Sequence, residues 1–216
     1  MRLTHVCSRC RTEWEAEGVP FQNELCLTCS PEFKEFKKIP RLSREMIITE
    51  KIDGTNGVIY IDDYNNLFVG SRTRWLDEHN DNFGFYKWVM RNKEALLKLG
   101  TGYHYGEWWG KGIQRGYNLQ ERRFSLFNVS RWKKDKEIPL LEKQEYCPDC
   151  CDVVPVLHAE VFNTEVINQI LEELKRNGSS ASPGFMKPEG VVVYHVAGNI
   201  LFKKTIDNDT QPKSVS

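Results

Sequence analysis

Glu50-Lys51-Ile52-Asp53-Gly54-Thr55-Asn56 lies between two apolar runs, Met46 to Glu50 and Gly57 to Ile61. Apolar runs flanking an Asp-Gly pair predict two strands with a tight turn between them. Gly54 lets the backbone approach a neighbour where a Cβ would interfere. Lys51 ends the first strand, so its amine sits on a fixed backbone. A lysine amine with its ordinary pKa of about 10.4 is protonated at neutral pH and is a poor nucleophile. Burial, a neighbouring cation or a bound metal can lower that pKa until the amine attacks a phosphate covalently. Taken alone, the stretch reads equally well as a strand ending in a charged turn.

The segments around it give the fold class. Leu67 to Gly70 reads as a strand joined to Gly57–Ile61 through a turn at Asn65-Asn66. Asn82 to Leu99 reads as one helix, with Phe85, Val89, Leu96 and Leu99 at apolar positions and Gly100 as terminator. Tyr103 to Glu107 and Arg123 to Val129 read as strands. Thr164 is placed to cap a helix from Glu165 to Asn177 that carries one apolar stripe and ends at Gly178. Gly190 to Val196 and Ile200 to Thr205 read as a closing strand pair. Strands predominate and do not alternate regularly with helices. This predicts an α+β fold with largely antiparallel sheets, not a doubly wound parallel one.

Composition sets the outer limits. The 216 residues carry zero formal net charge, which gives no global basic signature for nucleic acid. No apolar run approaches the roughly 20 residues that span a bilayer, and the start lacks a signal-peptide pattern. The expectation is a cytoplasmic protein, monomeric and without a membrane partner. Charge is unevenly placed, however: Lys111, Arg115, Arg122, Arg123, Arg131, Lys133, Lys134 and Lys136 stand against only Glu121 and Asp135. That run is either a solvated face or a phosphate-binding strip.

Seven cysteines in a cytoplasmic chain point to metal before disulfides. Cys7-Ser-Arg-Cys10 and Cys26-Leu-Thr-Cys29 form two knuckles whose four thiolates can close a tetrahedral zinc site. Residues 1–36 therefore read as a zinc ribbon, too short for a core of its own and held by structural Zn2+. Residues 37–216 form the main domain. Cys147-Pro-Asp-Cys150-Cys151 is a further knuckle without an obvious partner. It reads as a surface loop with incidental thiols, although Cys151 and His158 could complete a site.

Five more segments bear on the chemistry. Gly70-Ser71-Arg72-Thr73-Arg74 offers guanidinium groups, and Tyr105-Gly106-Glu107-Trp108-Trp109-Gly110 a carboxylate between glycines. Arg123-Phe124-Ser125-Leu126-Phe127-Asn128 brings aromatics. Pro188-Glu189-Gly190-Val191-Val192-Val193 sets a second carboxylate at the start of a buried strand, and Phe202-Lys203-Lys204 adds lysines near the C-terminus. Phosphates want cations, a divalent metal and a ribose want carboxylates, and a purine wants an aromatic face. An ionised group on a buried strand calls for a partner.

In this order and spacing, the motifs resemble the covalent lysine nucleotidyltransferases. The likeness is specifically to the RNA ligase branch typified by the phage ligase that seals nicks in duplex RNA. The likeness runs from about Met46 to Asp207. Asn56, and Gly112-Ile113-Gln114 after the Gly-Glu segment, resemble RNA ligases more than DNA ligases or capping enzymes. The resemblance implies ATP as substrate with Mg2+ or Mn2+ and covalent AMP on Lys51. Glu50, Ile52, Asn56, Arg72, Glu107, Phe127, Glu189, Lys203 and Lys204 would surround the nucleotide. Of these, Glu107 would bind ribose, Phe127 would stack on adenine, and Glu189 would stand at the metal. AMP would pass to a 5′-phosphorylated RNA end in a nicked duplex or stem-loop, and a 3′-hydroxyl would displace it. The last motif departs from the family, whose lysines sit two apart. Lys203 and Lys204 are adjacent and must point to opposite faces, so only one can enter the pocket; Lys203 is preferred, with Thr205 in the second position. The chain also ends soon afterwards, which leaves no room for the C-terminal domain of many relatives. The competing readings are a DNA ligase or other adenylyltransferase with the same first step, and an inactive zinc-ribbon RNA-binding protein.

Overall fold

A computed structural model of the chain describes residues 2–17, 28–29, 32–136, 143–207 and 209–210. The chain divides into two compact units, residues 1–39 and 40–216. In the first, β1 (Arg2–Val6) and β2 (Glu13–Glu17) form an antiparallel hairpin in which His5 stacks on its cross-strand partner Trp14. The Cys7–Thr12 segment closes the hairpin with Cys7 N–H on Thr12 O, and the Cys10 N–H points at Cys7 Sγ (3.4 Å).

The second unit is built on two sheets. Its elements are β3 (Glu45–Lys51), β4 (Thr55–Ile61), β5 (Leu67–Gly70), α1 (Phe85–Arg91), α2 (Lys93–Leu96), β6 (Gly102–Gly110), β7 (Arg122–Leu126), β8 (Trp132–Lys133), β9 (Glu145–Tyr146), β10 (Asp152–Val153), β11 (Val156–Val161), α3 (Thr164–Asn177), β12 (Gly190–His195) and β13 (Ile200–Thr205). One sheet runs β10-β7-β6-β4-β5 and the other β11-β3-β12-β13; β8 and β9 make a small parallel pair. Apart from β10 on β7, the pairings within the two large sheets are antiparallel. The α+β architecture with mainly antiparallel sheets is thus the one the sequence predicts.

Each sheet buries one face under helix. On the four-stranded sheet, Met46, Ile48, Val191 and Val193 alternate inward against Ile167, Leu171 and Leu174 of α3. Side chains of this size contribute about 1.5–3 kcal/mol each when fully buried. On the five-stranded sheet, Ile59, Ile61, Trp108, Phe124 and Leu126 pack against Phe85, Val89, Leu96 and Leu99. A third cluster, Ile52, Trp109, Tyr117, Val154 and Phe185, lies on the other face of this sheet.

Local expectations shift in four places. The segment 82–99 is not one helix. It breaks at Asn92, whose φ/ψ of −104°/14° leaves the helical region while its side-chain amide bonds Trp88 O at 2.8 Å. Such side-chain-to-backbone bonds compete with the helix ladder. The cap of α3 is Asn163, not Thr164: its side chain accepts the Glu165 N–H at 2.8 Å, which leaves Thr164 as the first helical residue. The strand begun at Arg122 stops at Leu126, where residues 127–131 turn. β10 and β11, unread in the sequence, follow Pro148 and Pro155 and supply the edges of both sheets.

Candidate active site

β3 leaves the four-stranded sheet at Lys51, and β4 enters the five-stranded sheet at Thr55, so residues 51–54 join the two. Here Lys51 Nζ meets Glu189 Oε2 at 2.5 Å, with the Glu189 carboxylate almost fully buried. Glu189 immediately precedes β12, whose Gly190 pairs with Lys51 in the sheet register. A Cβ at Gly190 would fall 2.2 Å from Lys204 O, so glycine is what lets β12 and β13 close here.

Glu107 completes the pocket from the other sheet. Its Oε1 accepts the Gly54 N–H at 2.9 Å, and its Oε2 accepts from Asn56 Nδ2, its cross-strand partner, at 3.2 Å. Burial pushes its carboxyl up to about 7, the Gly54 bond and Lys51 pull it down, and Glu189 and Asp53 raise it further. Gly54 is required at this point by β6: a Cβ would lie 2.5 Å from Trp108 O and 2.7 Å from Trp109 Cβ. The turn that the sequence reads as room for a ligand is thus first of all room for the neighbouring strand.

Two residues outside the predicted site, Arg115 and Tyr117, brace this loop through Asp53. Asp53 Oδ2 accepts from Arg115 Nε at 3.0 Å, and Arg115 Nη1 also donates to Lys187 O at 3.1 Å. The Asp53 N–H donates to the Tyr117 hydroxyl oxygen at 2.8 Å. Burial raises the Tyr117 phenol well above its ordinary pKa, so the hydroxyl stays protonated. Tyr117 has φ 52°, a left-handed conformation rare for an aromatic residue, and nothing in its sequence neighbourhood announced it. Arg115 was visible only as one member of a basic run.

The other predicted residues fall into distinct places. Directly opposed strand residues share a face, and the register sorts them. Lys51, Thr49, Val192 and Lys203 lie on one face of the four-stranded sheet. Glu50, Val191 and Lys204 lie on the other. Lys203 is exposed; Lys204 Nζ stands 3.9 Å from Asp209 Oδ2. The Glu50 side chain is a correction to the sequence reading. Its carboxylate faces away from Lys51 and takes bonds from Ser179 Oγ (2.6 Å) and Ala181 N–H (2.8 Å). Burial raises its pKa against the pull of those bonds. The Ile52 side chain is likewise core, packed with Trp109 and Tyr117. Arg72 is exposed in the turn after β5, and Phe127 is 40% exposed just past β7 with its N–H on Tyr105 O.

The basic run is mostly committed within the fold. Arg122 donates to Lys111 O and Phe83 O, Arg123 pairs with Glu121, and Arg131 bonds Leu99 O and lies over the Trp132 ring. Lys134 donates to Asp149 O, and Lys136 pairs with Asp149. These contacts tie the run to the fold's own surface and favour the solvated face over a continuous phosphate strip.

The cysteines separate into two sets. Cys7, Cys10 and Cys29 have sulfurs that all lie within 4.8 Å of one another, a donor set soft enough for zinc; Cys26 lies outside the described residues. The expected surface loop at Cys147 is corrected: Cys147 and Cys151 are buried in the core beneath the five-stranded sheet. Burial pushes the Cys147 thiol up to about 11. Cys151 and His158 do not converge with a third ligand among the described residues.

The loop that carries Lys51 joins two largely antiparallel sheets, and each brings a buried carboxylate to it, Glu189 from one and Glu107 from the other. The RNA ligase family model matches residues 44–206, and the chain belongs to that family. Among solved structures, a mutant of Naegleria gruberi RNA ligase with ATP and Mn aligns at TM-score 0.55 and 21% identity, over 82% of this chain and 58% of that one. A second such mutant, also with ATP and Mn, gives 0.54 and 22% over 77% and 51%. An apo mutant gives 0.53 and 22% over 82% and 57%. The chain thus spans little more than half the length of these relatives. No curated protein matches it in sequence. No helix among the described residues is long and apolar enough to cross a membrane.

Proposed function

We propose that this protein is an ATP-dependent RNA ligase that seals 5′-phosphate and 3′-hydroxyl ends through a lysyl-AMP. The reading rests on family membership and on one observation above all: Lys51 Nζ held 2.5 Å from buried Glu189, across from Glu107. In the first step the unprotonated Lys51 amine attacks the α-phosphorus of ATP. An N–P bond forms, the bond to the pyrophosphate oxygen breaks, and pyrophosphate leaves. The proton that the nitrogen sheds as the N–P bond forms leaves to water, because the Glu189 carboxylate is the one that would hold the metal. Glu107, kept in place by Gly54 and Asn56, accepts from ribose hydroxyls, and the exposed Phe127 ring is available to stack on adenine. Lys203, on the Lys51 face, and Arg72 meet phosphate oxygens. Glu50 and Ile52 serve through their backbone only. A 5′-phosphate oxygen of RNA then attacks the lysyl-AMP phosphorus and releases Lys51, and a 3′-hydroxyl displaces AMP from the RNA-adenylate.

The carboxylates suit a hard divalent cation, and Glu189 would hold Mg2+ or Mn2+. No trio of acidic groups converges there among the described residues. Such a cation would neutralise charge that builds on the phosphates. Residues 1–36 are proposed as a zinc ribbon, with Cys7, Cys10, Cys26 and Cys29 as ligands, and residues 37–216 as the adenylylation domain. A preference for RNA ends in a nicked duplex or a stem-loop, a monomeric state and a cytoplasmic location complete the proposal.

Incubation with labelled ATP and magnesium, then denaturing electrophoresis and a sealing panel over RNA and DNA nicks, tests the reading. RNA nicks should be sealed in preference. Equal sealing of all-DNA nicks would turn the reading to a DNA ligase, and absence of labelled protein would leave a binding protein.

A further inference from the structure

The face of the five-stranded sheet that carries Asn56 and Glu107 continues past them as a row of exposed rings. The next pair along the same strands is Val58 with Tyr105, then Tyr60 with Tyr103, and Tyr60 also opposes Phe68 on β5. The Tyr105 and Tyr103 rings are nearly parallel, 10° apart with centroids at 5.9 Å; Tyr103 stacks on Tyr60 at 4.4 Å. Phe68 follows at 5.8 Å and Trp75 at 6.0 Å from Phe68. Trp75 folds over Gly70, where a Cβ would touch its ring at 3.2 Å, so it belongs to the same face. Tyr103, Tyr105 and Trp75 are 53–54% exposed and Phe68 46%. Cross-strand aromatic pairs stabilise a sheet, but that does not require them to lie open to water. A contiguous apolar patch of this kind marks an interaction site.

We propose that this row is a stacking platform for unpaired bases of the RNA strand whose end lies in the active site. The occupant follows from two features. The row begins one cross-strand pair beyond Glu107, so a strand leaving the pocket along this face meets it next. It turns back through Phe68 to Trp75, over Gly70 and level with Val58, beside the turn that carries the exposed Arg72, a cation for the backbone. Aromatic faces next to phosphate-binding cations are how proteins hold single strands with little sequence preference. Paired bases already stack on one another inside a duplex, so the platform selects single-stranded segments. The proposal deepens the ligase reading and rests on it for the end bound in the pocket.

Anisotropy of a fluorescent oligouridylate of about ten nucleotides, measured on the full chain, tests the platform. Tyr103→Thr with Phe68→Thr should weaken binding about tenfold for each ring lost. Tyr103→Phe with Phe68→Tyr, which keep the rings, should bind as the unaltered chain does. Labelling by ATP should be the same in all three proteins. In the unaltered chain the oligonucleotide should quench Trp fluorescence, and Trp75→Phe should remove most of that quenching. Equal affinity in the ring-deleted and unaltered proteins, with Lys51 still labelled, overturns the platform and leaves the ligase reading standing. Loss of labelling with RNA binding and quenching intact does the reverse. A duplex RNA that loses as much affinity as the single strand also overturns it. So does sedimentation in which the ring deletions convert a dimer to monomer, because the rings would then be a contact between copies.

Discussion

Glu50 and Lys51 are neighbours on β3, yet the sheet turns them to opposite faces and into different roles. Glu50 is sealed beside the α3 layer with its carboxylate bonded by Ser179 and Ala181. Lys51, one residue on, faces Glu189 at the junction of the two sheets and keeps 21% of its side chain open. Both faces hold a buried carboxylate, but Glu50 is satisfied by the chain's own hydroxyl and amide donors, whereas Glu189 is paired with an amine that chemistry can take away. The period of a strand, two residues, is what separates the packed carboxylate from the proposed nucleophile here.

That contrast can be broken by mutation. Lys51→Arg, which keeps a cation beside buried Glu189 but one that stays protonated and cannot attack, should reduce covalent AMP attachment to background while the melting temperature stays close to that of the unaltered protein. Denaturing gels after labelled ATP and a thermal melt check both halves. Glu50→Ala should do the opposite. It strands the Ser179 hydroxyl and Ala181 amide, at about 1–3 kcal/mol for each buried group left unsatisfied. Denaturant unfolding should show that loss, with labelling retained by the folded fraction.

Glu107 sits between these extremes, and pH sharpens its role. Its folded-state carboxyl is raised from 4.5 to about 7. The folded protein therefore holds a proton that the unfolded chain has given up. Stability from this group is full below about pH 4.5 and declines as pH rises through about 7, by about 3 kcal/mol at 1.36 kcal/mol per pKa unit. Glu107→Gln should flatten that decline in unfolding measured from pH 5 to 8, leaving the smaller slope of the same sign from Glu50. An unchanged pH profile would mean that Glu107 is solvated.

The register gives a finer test. Lys203→Ala should cost about tenfold or more in adenylylation, as expected for a charge-assisted phosphate contact worth about 1.5–3 kcal/mol. Lys204→Ala, on the Glu50 face, should stay within about twofold in the same labelling assay. The smallest effect is expected from the first unit. Chelation should release about one zinc per chain and unfold residues 1–36, since thiolate–metal binding supplies the folding energy of such modules. Labelling of Lys51 should continue. Elemental analysis without zinc would remove the ribbon, and two equivalents would return attention to Cys147 and Cys150.

Much of this was legible because the signals were local. The strand on either side of Asp53-Gly54, the valine run after Glu189 and the stripe of α3 all follow from periodicity and turn residues. What escaped depended on distant partners. Asn92 looks like any polar helix position until its amide bonds back to Trp88 O. The brace of Arg115 and Tyr117 on Asp53 spans more than sixty positions of sequence. Cys147 and Cys151 looked like loop thiols because the short strands that flank them, β9 and β10, are too brief to show a pattern. The motif also lends Glu50 and Ile52 a place beside the nucleotide, while strand alternation and packing send their side chains elsewhere.

The central claim is that Lys51 is the nucleophile, and mapping the adduct tests it most directly. The unaltered protein, incubated with ATP and magnesium and digested at alkaline pH, should yield one AMP-bearing peptide. Its adduct should be an acid-labile, alkali-stable phosphoramidate on Lys51. AMP on Lys203 or another lysine, or none on any peptide while RNA ends are still joined, would contradict the account.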